Sequence, residues 1–165
     1  MKIQEVTALI NLPMTAFRMT GIDEHIELTI DEVSSFPDEL DSNGYGLAGM
    51  VSIHADKYSV SDFYFLETDY LYNFLIQLKQ CYEMWCGTAV LENPAPQHLK
   101  IECTFTEFGS VHVTGFFQSI LAVGNVLQFE IEANRASIKD AISSLEKVYT
   151  LFGDWNEELI LSMRA

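Results

Sequence analysis

The longest regular spacing in the chain lies at Thr68–Gly87. There Leu71, Phe74, Leu75, Leu78, Cys81, Tyr82 and Trp85 recur at the three- and four-residue steps of one helical face. Thr68 is placed to accept a hydrogen bond from a first-turn amide, Asp69 suits the positive end of the helix dipole, and Gly87 can take the left-handed stop. A second helical pattern joins Ile138, Ile142, Leu145, Tyr149 and Phe152. Ser137 with Asp140 forms its capping signal and Gly153 ends it. The tail DWNEELILSMRA adds a further helical turn or two.

Most of the remaining pattern has a period of two. Pro13 splits the first twenty residues, leaving Thr15–Thr20 as a strand. Ile26, Leu28 and Ile30 alternate with Glu27, Thr29 and Asp31, which marks a half-buried strand with an acidic outer side. The run SSFPDELDSNGYG is a polar loop of turn formers. Leu47–His54 and Lys57–Leu66 then form a hairpin through Ala55 and Asp56. After the first helix come a short strand at Thr88–Glu92, a loop around Pro94 and Pro96, and three alternating runs. These carry Leu99/Ile101/Cys103/Phe105, Val111/Val113/Phe117 and Leu127/Phe129/Ile131/Ala133. Their short connections make the strands antiparallel. The whole predicts an α+β fold of one domain over residues 1–165: about seven or eight mainly antiparallel strands with two amphipathic helices packed on them. "Strands then helix" occurs twice, but no residue pattern recurs to support a duplication, and none is read from it.

Composition adds one outlier. The chain has 165 residues, with 24 acids against 9 bases and a net charge of -15. Such a surface repels nucleic acid and anionic membrane and speeds encounter with basic partners. Between Met19 and Asp56 there is no Lys or Arg, while Asp23, Glu24, Glu27, Asp31, Glu32, Asp38, Glu39, Asp41 and Asp56 supply nine acids. Like charges so close destabilise the free fold, so either a basic partner is served or the face is simply solvated. Three cysteines without C-x-x-C spacing point to packed thiols in a reducing compartment. No secretory leader and no apolar run long enough to span a bilayer are recognisable, so a cytoplasmic location is expected.

Catalytic and metal chemistry finds little footing. His25, His54, His98 and His112 sit on different predicted elements without H-x-x-x-H spacing. If the Asp38–Gly44 loop is aligned on an EF-hand with Gly44 at the sixth position, Met50 falls where a bidentate Glu is required. Cys81 and Cys103 lie on apolar faces, and Cys86 faces the negative end of its helix, which disfavours a thiolate. The glycines at 44, 46 and 49 precede no phosphate-binding helix. The aromatic residues are not interleaved with basic ones, which weighs against nucleic-acid binding. No cofactor and no enzymatic activity are expected.

The order of motifs resembles the WapI-type immunity proteins of bacterial polymorphic toxin systems. The matching pieces are Asp41-Ser42-Asn43-Gly44, Leu47–Ile53, Leu71–Leu78 and Trp85-Cys86-Gly87-Thr88-Ala89, then Gly109–Gly115 and Asn125–Glu130. Together they span roughly residues 20–150. Before the last helix that family tends to have Asp-Gln-Thr, where this chain has Asn134-Arg135-Ala136-Ser137-Ile138. The resemblance implies a cytosolic, non-enzymatic protein that binds and blocks a cognate toxin domain, often a nuclease. On charge, the expected contact set is Asp23, Glu24, Glu27, Asp31, Glu32, Asp38, Glu39 and Asp41, with Phe36 and Tyr45 as aromatic anchors. For those two aromatics, packing of the loop on the sheet is the competing reading. An acidic secretion-type chaperone, which would be dimeric, and a ligand-binding or enzymatic α+β domain are the rival functions.

Overall fold

In the computed structural model, residues 11–35, 44–93, 97–120 and 124–152 are described. Two antiparallel sheets are each followed by a helix. The first sheet contains β1 (Met14–Thr20), β2 (His25–Ile30), β3 (Glu32–Ser35), β4 (Gly46–Ala55) and β5 (Tyr58–Glu67). Helix α1 (Thr68–Met84) follows without a break. The second sheet runs through β6 (Thr88–Glu92), β7 (Leu99–Phe105), β8 (Val111–Gln118) and β9 (Val126–Ala133), and α2 (Arg135–Phe152) closes the described chain.

The strand order is the order of the chain. β6-β7-β8-β9 is a four-stranded meander. In the first sheet β2 and β3 share one edge of β4, with Asp31 between them donating its N–H to Ala48 O. They act as one bent strand between β1 and β4, and β5 takes the other edge of β4. Each half of the molecule is thus a four-membered meander and a helix. The third member of each meander carries a glycine pressed on its neighbour. A Cβ on Gly49 would meet Thr29 O at 1.8 Å, and one on Gly115 would meet Lys100 O at 1.9 Å. The two halves thus share an element order and this close backbone approach, a likeness that no recurring residue pattern marked in the sequence.

The core follows from the alternation. Phe17, Met19, Ile26, Leu28, Ile30, Leu47, Val51 and Ile53 point inward from the first sheet. Ile101, Cys103, Val111, Val113, Ile131 and Ala133 do so from the second. Leu71, Phe74, Leu75 and Leu78 of α1 and Ile138, Ala141, Leu145 and Val148 of α2 complete one continuous cluster. Phe17 packs on Phe74 with ring centres 5.5 Å apart, and Tyr72 meets Tyr149 edge to face where the helices touch. Truncating a ring such as Phe17 costs about 3–5 kcal/mol, a large part of the stability of a domain this size.

The helix ends differ from the sequence reading in instructive ways. Thr68 does not cap α1; its Oγ1 accepts the N–H of Tyr45, while its own N–H donates to Tyr45 O, tying the helix start to the start of β4. The helix stops before Gly87, because Trp85 itself takes the left-handed conformation at φ 50° and its indole N–H is held by Thr106 O at 3.0 Å. Arg135 lies 4.5 Å over the Trp85 ring, which stabilises that placement. At α2 the cap is Asn134, whose Oδ1 accepts the Ser137 N–H at 2.8 Å. Ser137 Oγ instead accepts the Thr20 N–H at 3.1 Å, tying the helix start to β1, and its hydroxyl lies within donating reach of both Asn134 O at 3.0 Å and Thr20 O at 3.2 Å. Gly153 and the tail lie outside the described residues.

Candidate functional site

Among the described residues, the acids of the 23–41 stretch fall into two groups, one at each end of β2, with Glu27 between them. Asp23 and Glu24 form the β1–β2 turn, Glu27 sits on the outward side of β2, and Asp31 and Glu32 mark the bend into β3. The six residues of β2 separate the two ends by roughly 20 Å, at about 3.3 Å per residue. That exceeds the screening length of roughly 8 Å at physiological salt, so the two ends act on a partner as separate charges. Between them Glu27 is paired with Arg18, directly opposite in register, at 3.5 Å. Glu24 is committed to the fold: one carboxylate oxygen accepts the backbone N–H of Glu132 at 2.7 Å. Asp38, Glu39, Asp41 and Phe36 lie outside the described residues. Tyr45 is half-buried, packed 5.1 Å from Phe152 at the joint between β4 and α2.

The register stacks the outward side chains of the first sheet into rows. One row runs Arg18, Glu27, Ser52, Ser61, and another runs Thr20, His25, His54, Ser59. Met50 faces Phe63, and Glu32, Ala48 and Phe65 form a further row. Phe63 and Phe65 make an edge-to-face pair at 5.8 Å, and Phe65 and Met50 are exposed. Sequence reading missed these aromatics because Tyr64 and Leu66 fill the alternate positions, so the run reads as uniformly apolar. The pairing with Ala48 and Met50 is what assigns Phe63 and Phe65 to the outside.

Two histidines that sequence placed on separate strands come together here. The rings of His25 and His54 stack at 6.0 Å, and His25 Nε2 lies 3.2 Å from Ser52 Oγ. Burial, then the nearby Arg18 charge and then His54 push the His25 pKa below its ordinary value, against a smaller opposing effect of Glu27. His98 is buried beside Asn93, whose Oδ1 accepts the N–H groups of His98 and Leu99. His112 lies 2.8 Å from Glu130 on the outward side of the second sheet. Among the described residues no group of three or more His, Cys, Asp or Glu could hold a metal ion.

The outward side of the second sheet carries its own charges. Glu92 and Glu102 flank Lys100, at 3.9 Å and 3.1 Å, and Glu130 shares the next row with Glu102 across Thr114. The alternation marks each of these as outward, but only the register shows that they are neighbours. Cys81 and Cys103 are buried, and burial raises both thiol pKa values, which disfavours the thiolate; Cys86 is exposed. No helix among the described residues is long and apolar enough to cross a membrane.

This is an antiparallel α+β protein whose described sheets carry exposed polar and aromatic side chains on their outward faces. The immunity protein WapI-like family matches residues 18–153, and the chain belongs to that family. No curated protein matches the chain by sequence. Among solved structures, that of the plant transcriptional regulator PBF-2 is similar in fold, with a TM-score of 0.53 over 90% of this chain and 87% of that one, at 8% identity. At that identity the likeness extends to the arrangement of strands and helices alone.

Proposed function

We propose that this chain is an immunity protein that binds a cognate bacterial toxin domain and blocks it by occupancy, without chemistry of its own. Membership of the WapI-like family carries the reading. The charge balance supplies the kind of partner. A net charge of -15 favours a basic domain, and a toxin that cleaves RNA or DNA needs a basic cleft for its substrate. An acidic inhibitor can fill that cleft as a phosphate mimic or sit on its rim, and attraction between opposite fields speeds the encounter. The site of action is the cytoplasm of the producing cell, where the toxin would otherwise reach nucleic acid.

The acids at the two ends of β2 then serve steering and specificity more than raw affinity. The test is binding to the toxin domain encoded beside this chain, measured at two salt concentrations. Nanomolar affinity with association slowing as salt rises is expected. Absence of binding, or a toxin fully active with its partner in excess, overturns the reading.

A further inference from the structure

Met50, Phe63 and Phe65 stand side by side on the outward face of the first sheet, with Phe65 46% and Met50 37% exposed. Acids border this strip. Thr29 Oγ1 accepts the Met50 N–H at 3.2 Å and donates to Asp31 Oδ1 at 3.0 Å, which sets Asp31 beside Met50. Glu32 and Phe65 flank the buried Ala48 in one row. Among the described residues neither Asp31 nor Glu32 is ion-paired, and the nearest base on this face, Arg18, is paired with Glu27.

We infer that this strip is the anchoring surface for the toxin domain, which meets it with an apolar side chain flanked by lysine or arginine. The inference rests on the immunity reading and adds the surface and the chemistry of its counterpart. Buried aromatic and methionine side chains carry most of the energy of such contacts, and a charged rim sets orientation. A second copy of this chain fits poorly: a twofold contact here would set Asp31 and Glu32 against acids between two chains of net charge -15. Addition of a partner strand beside the aromatics is also blocked. The Phe63 N–H is taken by Asp62 Oδ1 at 2.8 Å and the Phe65 N–H by His98 Nε2 at 3.4 Å, so this edge of β5 offers no free donors there. The partner therefore engages side chains.

The experiment compares the full-length chain with Phe65→Ser, Met50→Ser, the double reversal Asp31→Lys with Glu32→Lys, and Glu130→Lys on the other sheet. Each is bound to the neighbouring toxin domain, with thermal melts to confirm folding and sedimentation to read self-association. Phe65→Ser is expected to weaken binding by about 30-fold or more, mainly through faster dissociation. The double reversal slows association and flattens its salt dependence, and Glu130→Lys changes affinity by less than about threefold. Should Phe65→Ser fail to fold, Met50→Ser carries the same expectation. Wild-type binding unaffected by Phe65→Ser and Met50→Ser overturns this surface while leaving the immunity reading intact. No wild-type binding overturns both, and a homodimer dissolved by Phe65→Ser assigns the strip to a second copy and overturns the inference.

Discussion

The carboxylate of Glu24 accepts the backbone N–H of Glu132 at 2.7 Å, joining the β1–β2 turn of the first sheet to β9, the last strand in the order of the second. Beside it Thr20 O accepts the N–H of Asn134 at 2.9 Å, and a Cβ on Gly21 would stand 2.0 Å from Glu132 O. The two sheets meet here through backbone, and the acid supplies the acceptor that a neighbouring strand would otherwise provide. Replacing Glu24 with Ala leaves that edge donor to water and is expected to lower unfolding free energy by about 1 kcal/mol in urea titration. Glu24→Gln keeps an acceptor and should recover part of the loss.

Gly49 and Gly115 test the two-half architecture. A methyl group at either position collides with a backbone carbonyl, which no side-chain rotation relieves. Alanine at each is expected to cost about 2 kcal/mol or more. Gly109 provides the control: it sits in a turn with nothing within 4 Å of its added Cβ, and its demand is only the left-handed φ of 82°. Gly109→Asn should therefore melt close to wild type, because asparagine tolerates that conformation.

Asp69 makes stability depend on pH. Its Oδ1 is buried without a hydrogen-bond partner, and burial, then the neighbouring Glu67, raise its pKa from 3.8 to about 6. The folded chain holds this proton up to about pH 6 while the unfolded chain releases it near 3.8. The stabilisation from protonation is complete below the lower value and is lost as pH rises through the upper one. Asp69→Asn is expected to raise the melting temperature at pH 7 and to leave it nearly unchanged at pH 3.5, read by calorimetry across that window.

Arg18 predicts a change of the opposite sign in association. It neutralises Glu27 in the middle of β2, so it opposes the steering that the surrounding acids supply. Arg18→Gln should speed association with a basic toxin domain by about two- to threefold at low salt, with the difference vanishing as salt rises. Because the pair is exposed, fold stability should change by less than about 1 kcal/mol.

The chain by itself determined its elements. Period-two alternation from Ile26 to Ile30 and from Leu99 to Phe105, and the helical spacing from Leu71 to Cys81, fix which faces turn inward, because burial of apolar surface dominates the choice. Composition fixed the sign of the surface, and the ordered motifs pointed to the family. Tertiary structure decided what stands beside what. Whether Asp31 lies near Asp23 or near Met50, whether Glu24 faces solvent or an edge amide, and whether Phe63 and Phe65 point out or in all depend on register between strands distant in sequence. A shift of one residue would exchange the two faces, and no local pattern specifies it for an apolar run such as Asp62–Leu66. The capping assignments at Thr68 and Ser137 moved for a related reason. A hydroxyl takes whichever partner the packed neighbours bring within reach: Thr68 Oγ1 meets the Tyr45 N–H, and Ser137 Oγ accepts the Thr20 N–H while reaching the carbonyls of Thr20 and Asn134.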